Sequence, residues 1–254
     1  MTSYPTNVSN SQWQFIANFF DTKRNRKYSL REILNAILYL VKTGCQWRML
    51  PNDFAHWKVV YYYFSKWKKA EIFEEIHEFL VEKVRKKAGK NEEPSVGIID
   101  AQSVKNTLVS IEEKGFDAGK KIKGIKRHII VDTMGLILAV LIQSASVQDR
   151  DGALGVMEKM KRSWKKVIKI FADSGYRGKL IEKVKQQFKI DVEIIKRDEL
   201  HTFKVLPKRW VVERTFAWID TNRRNSKYYE RLNETGVAMV HLSAIRIMSC
   251  PEIG

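Results

Sequence analysis

Residues 96–100 read VGIID, and residues 167–173 read VIKIFAD. Each is a short, largely apolar run that ends in a carboxylate, and each predicts a buried strand. An acid left unpaired inside such a sheet costs several kcal/mol, so Asp100 and Asp173 call for partners. A turn or helix cap supplies one for Asp173. A divalent cation could serve both, because hard cations prefer carboxylate oxygen.

Outward from these two runs the chain alternates strands with helices. Residues 127–131 and 136–143 predict a β-hairpin joined through Thr133-Met134-Gly135. Helices are expected over 151–162, 180–188, about 208–221 and 235–248, with a strand at 192–195. That alternation makes the second part of the chain α/β. Residues 1–90 read differently. Ser29 and Glu32 form a capping box, Leu30, Ile33, Leu34, Ile37, Leu38 and Val41 follow helical spacing, and Gly44 stands where a left-handed cap belongs. Further helices are expected over 53–70 and 71–87, and residues 90–94 form a polar linker. No internal repeat is present.

Charge narrows the partner. The 254 residues carry 46 Lys+Arg against 29 Asp+Glu, a net +17, spread along the chain rather than gathered in a tail. A field of that sign attracts polyanions, and nucleic acid is the usual one. No apolar run approaches the length of a membrane span, and the first ten residues do not resemble a signal peptide. Cys45 and Cys250 give neither a zinc spacing nor a disulfide framework, so a cytoplasmic setting is expected.

A third acid, Glu213, sits in residues 210–218, WVVERTFAW. On the buried side of so apolar a helix it would need a partner, either a cation or a helical ion pair with Arg209 or Arg214. Other groups rank lower. His128 and Asp132 are candidates to line a site, with packing or a turn hydrogen bond as their ordinary use. Asp149 and Asp151 are expected to cap a helix. Among the cations, Lys105, Lys120, Lys121, Lys126 and Arg127 lie close in sequence to Asp100, while Arg209, Arg214, Arg223, Arg224 and Lys227 surround Glu213. Both sets are expected to contact DNA phosphates. The tryptophans and tyrosines of the first part are expected in its core.

These residues carry a family resemblance. Residues 44–51 (GCQWRMLP), 99–105 (IDAQSVK), 116–121 (FDAGKK), 126–135 (KRHIIVDTMG), 147–153 (VQDRDGA), 172–178 (ADSGYRG) and 209–218 (RWVVERTFAW) resemble, in order, the DDE transposases of small bacterial insertion sequences. The resemblance implies an RNase H-like catalytic domain over 95–254, a mixed central sheet flanked by helices, preceded by an all-helical DNA-binding domain over 1–90. It implies that Asp100, Asp173 and Glu213 are the catalytic and metal-holding carboxylates, with Mg²⁺ (or Mn²⁺) as two bound ions. Asp100 would bridge both ions, and the other two acids would each complete one site. The implied substrates are double-stranded DNA, both the terminal inverted repeats of the element and its target, with the chain acting at least as a homodimer. One departure is visible: related enzymes often carry a Tyr where this chain has Leu206. The rival expectations are a DNA-binding regulator with an inactive second half, and a nuclease or resolvase on the same fold.

Overall fold

A computed structural model describes residues 4–107, 115–195 and 208–249. In chain order come α1 (Asn10–Ile16), α2 (Leu30–Thr43), α3 (Trp57–Lys69) and α4 (Ile72–Lys87). Strands β1 (Val96–Lys105), β2 (Gly115–Asp117), β3 (Ile122–Val131) and β4 (Ile137–Ser144) follow, then α5 (Asp149–Ser163), β5 (Lys169–Ala172), α6 (Lys179–Phe188) and β6 (Asp191–Ile194). The last helices are α7 (Lys208–Asp220), α8 (Arg223–Ser226) and α9 (Asn233–Met248). The chain divides into a helical unit, Met1–Ala88 with Ile219–Ser226 and Ala238–Gly254, and an α/β unit, Gly89–Trp218 with Lys227–Val237. The helical unit thus differs from the stretch 1–90 by taking two segments from far downstream.

Within the helical unit, α2 begins and ends as its sequence dictates. The Ser29 hydroxyl accepts the amide N–H of Glu32, and Gly44 takes φ 71°, a left-handed value that suits glycine. A second capping box, Ser9 with Gln12, starts α1, a helix that the apolar pattern did not reveal. The apolar face of α2 meets Val60, Phe64 and Phe73 of α3 and α4, and the same core takes in Ala238, Met239, Leu242 and Ile245 of α9. Burying one large side chain of this kind contributes about 1.5–3 kcal/mol. A fragment ending at residue 90 would therefore lack part of its own core.

In the α/β unit the sheet runs β2-β3-β1-β5-β6, with β4 also pairing β3. Antiparallel β3 lies on one side of β1 and parallel β5 on the other. This mixed order, with helices around it, is consistent with the RNase H-like expectation. One element differs: β1 does not stop at Asp100 but continues to Lys105, because β3 remains its partner throughout (Asp100↔Ile129, Gln102↔Arg127, Lys105↔Gly124). The hairpin turn between β3 and β4 is tied by Asp132, whose Oδ1 accepts the N–H groups of Met134 at 2.8 Å and Leu136 at 2.9 Å.

Helix α5 corrects the capping expectation. Its N-cap is Gln148, which makes no side-chain cap bond, while Asp149 and Asp151 fall in the first turn. There they favour the positive end of the helix dipole. His128 is fully buried, and Gly152 of α5 lies directly against it: a Cβ at 152 would sit 2.3 Å from His128 Cε1. Gly152→Ala is expected to cost about 1–3 kcal/mol through overpacking. The double variant Gly152→Ala/His128→Ala is expected to cost less than the sum of the two single variants, measured by urea denaturation. Additive losses would show that the ring is not what excludes the methyl.

Candidate active site

The parallel pair β1–β5 brings two acids to one place. Its register is Gly97↔Ile170 and Ile98↔Phe171, and counting on by two residues sets Asp100 beside Asp173. Asp173 follows the last residue of β5 and caps a short 3₁₀ turn, Ser174–Tyr176, its Oδ1 accepting the Gly175 N–H at 2.8 Å. The cap reading of Asp173 holds, and the same residue lies beside Asp100. Asp100 and Asp173 are each half-buried, and a cleft beside them is lined by Ile98, Asp100, Ala172, Asp173, Ile195 and Val212.

Tyr176 reports the electrostatics of this region. Burial, then the charges of Asp100, Asp149 and Asp173, push its phenol well above the usual tyrosine range. Two adjacent carboxylates offer hard oxygen donors of the kind a divalent cation takes.

Glu213 stands differently from its expectation. The buried stripe of α7 runs through Val211, Val212, Thr215, Phe216 and Ile219, and Glu213 falls just past its edge, exposed. Val212, one residue before it, lines the cleft. Two acids are therefore adjacent, and the third is on the helix that borders them. Among the described residues no three His, Cys, Asp or Glu side chains converge closely enough to hold an ion. The chemistry of Asp100 and Asp173 suits a divalent cation, and Glu213 stands on the helix that borders them.

A family model described as “Transposase DDE domain” matches residues 91–248, well over half of the chain. The chain belongs to this family. A second model, described as “Putative transposase of IS4/5 family”, matches residues 8–77 of the same transposase chain. A relative from Burkholderia cepacia, described as “Putative transposase for insertion sequence element IS402”, is 28% identical over 131 residues. That match spans 49% of this chain and 62% of the relative, less than two thirds of its length.

The basic residues of the DDE domain and its helical companion separate into two classes. Lys105, Lys120, Lys121, Arg223 and Lys227 are exposed, although Lys120 Nζ donates to the Ala101 carbonyl at 2.8 Å. Lys126, Arg127 and Arg224 are buried instead, which corrects the expectation that they face phosphate. Lys126, only 5% exposed, is held between Asp117 (3.2 Å) and Asp149 (2.8 Å). Arg127, 1% exposed, donates from Nη1 to Gln102 Oε1 at 3.3 Å, and Arg224 donates from Nη1 to the Cys45 carbonyl at 3.3 Å. Arg209, by its side chain, and Leu206 lie outside the described residues.

Arg214 is committed as well. Its guanidinium stands 4.4 Å from the ring centroids of both Trp210 and Trp218, and Nη2 donates to the Met134 carbonyl at 2.8 Å. Thr215 Oγ1 donates to the Gly135 carbonyl at 2.8 Å. These contacts pin α7 to the β3–β4 turn, so Arg214 is an anchor for the helix that bears Glu213. The spacing Trp210, Arg214, Trp218 is one helical face, a signal that was present in the sequence.

Proposed function

We propose that the chain is a DNA transposase that cuts at the ends of its insertion sequence and joins the freed 3′ hydroxyls to target DNA. The observation that carries this is the side-by-side placement of Asp100 and Asp173 in a cleft bordered by α7. Asp100 and Asp173 would hold divalent ions, Mg²⁺ or Mn²⁺, and Glu213 would complete the set from α7. When bound, a pair of such ions supplies an activated water or hydroxyl and stabilises the leaving oxygen.

The chain's own groups do the rest. Asp173 is held by the Gly175 N–H, which fixes the direction of its carboxylate. Arg214 holds α7 against the hairpin turn and so sets the position of Glu213. The exposed Lys105, Lys120, Lys121, Arg223 and Lys227 are proposed contacts for the DNA backbone, where each ammonium or guanidinium replaces a condensed counterion. Exchange of one phosphodiester for another conserves the bond energy, so no nucleotide-binding loop is needed. Pairing two DNA ends calls for at least two copies of the chain, acting in the cytoplasm where bacterial DNA lies. Among the described residues no helix is long and apolar enough to cross a membrane.

The test uses the full chain, Mg²⁺, and a duplex containing the DNA that flanks its own coding region. Nicked and then strand-joined products are expected. Hydrolysis without joining would reduce the activity to that of a nuclease, and no cleavage with either Mg²⁺ or Mn²⁺ would overturn the proposal.

A further inference from the structure

Helix α3 contains no acidic residue and presents one continuous stripe to solvent. Lys58, Tyr61, Tyr62, Lys66 and Lys69 are all exposed. At about 100° per residue they fall within an arc of roughly 140°. Val60, Phe64 and Trp67 take the opposite face into the core. The two tyrosines are unusual for their type: Tyr61 is 47% and Tyr62 60% exposed, although their neighbours form the aromatic core of the unit.

The surroundings add to the same character. The turn Trp47–Met49 ahead of α3 exposes Arg48 and Met49, with the Arg48 guanidinium 5.3 Å over the Trp57 ring. The Trp47 ring meets Tyr61 edge-on at 5.2 Å, which limits how Tyr61 can swing. Lys58, Lys66 and Lys69 enter no ion pair among the described residues. Asp53, the acid nearest before α3 in the sequence, is engaged by the Tyr4 hydroxyl at 3.0 Å. The stripe is thus a row of available cations interrupted by phenols.

A protein partner would suit such a face poorly, since lysine is depleted at the cores of protein interfaces. Duplex DNA suits it well. The major groove is about 12 Å wide and admits one helix, with phosphates on both walls and base edges on its floor. We propose that this face of α3 lies in the major groove of duplex DNA. Lys58, Lys66 and Lys69 meet phosphates, Tyr62 between them meets base edges, and Tyr61 lies at the outer edge of the stripe. The identity of that DNA as the element's own ends rests on the transposase reading.

The experiment measures anisotropy of two labelled duplexes of equal length with the full chain, over a range of salt and without divalent metal. One duplex is taken from the DNA flanking the coding region, and the other is shuffled. Lys58→Ala/Lys66→Ala/Lys69→Ala is expected to lower the salt slope by about 0.9 per lysine on both duplexes. Tyr62→Ala is expected to narrow the preference between them roughly tenfold while leaving the slope unchanged. Melting temperature serves as the folding control, because all four side chains are exposed.

Unchanged slope in the lysine variant, at unchanged melting temperature, overturns the placement. A wild-type chain with no preference between the duplexes, or a Tyr62→Ala chain that keeps it, overturns the base-reading part. Lost self-association with normal DNA binding would make the face a contact between copies, and the proposal would fail. The result is separable from the transposase reading. A chain that binds through α3 yet never cuts would sink that reading alone, and normal binding and cutting without the lysines would sink this one alone.

Discussion

Asp100→Asn and Asp173→Asn are each expected to lower metal-dependent cleavage by roughly a thousandfold or more, with a melting temperature close to that of the unaltered chain. Removing the charge while keeping the shape withdraws the ligand that a hard cation requires. Several kcal/mol of transition-state stabilisation then disappear, at tenfold in rate for about every 1.4 kcal/mol. The amide is chosen because Asp173 also has a structural duty: its Oδ1 accepts the Gly175 N–H, and an asparagine oxygen can still do so. Glu213→Gln is expected to match them. Asp132→Asn is expected to cut well, since its oxygen serves the hairpin turn. The exposed Asp151→Asn is a second control. Near-normal cleavage by Glu213→Gln would remove that residue from the set, and loss of cleavage in Asp132→Asn would name its replacement.

Lys126→Met is the substitution expected to cost most in stability, about 3–5 kcal/mol at neutral pH, because it leaves two carboxylates facing each other without their cation. Burial by itself would raise the Asp117 carboxyl, but the Ser103 hydroxyl, the Lys120 backbone N–H and the Lys126 ammonium outweigh it. Together they bring its pKa down to about 2 from 3.8. A carboxyl lowered by folding stabilises the fold above its unfolded pKa and loses that contribution as pH falls through its folded value. In the unaltered chain that loss falls between about pH 4 and 2. The variant loses the ammonium's share of that contribution while the Ser103 hydroxyl and the Lys120 N–H remain, so the stability gap between the two proteins is expected to narrow in part as the medium is acidified through that window. Urea midpoints across the pH range measure it. A gap that stays constant to pH 2 would show that the ion pair is not the source.

The position of Asp100 and Asp173 at the ends of apolar runs was legible in the sequence; that the two runs pair in parallel and so align these ends was not. Helix α2 was legible too, since Ser29, Glu32 and Gly44 carry its boundaries locally. The rest depended on partners distant in sequence. Gln102, Ser103 and Lys105 look like a loop until β3 is laid beside them. Lys126 and Arg127 look like surface cations, and only Asp117, Asp149 and Gln102 explain their burial. The aromatic run of α3 wraps around a helix, so periodicity sends Phe64 and Trp67 inward and leaves Tyr61 and Tyr62 outside. Glu213 was placed correctly on a helix, but the face depended on where the stripe of α7 ends.

The core of the helical unit has a consequence for how the protein is made. Residues 1–88 leave the ribosome well before Ala238, Met239, Leu242 and Ile245, which complete their core. At ordinary rates of translation the intervening 150 residues take about 8–30 s. During that interval the part of the α2–α4 core that α9 covers is left open. A truncated product, from a broken message or an early stop, never closes this unit, and its α3 is never set on a finished scaffold. If α3 reads DNA as proposed, that reading is conditional on complete synthesis, and partial chains are expected not to compete with full ones for the same sites.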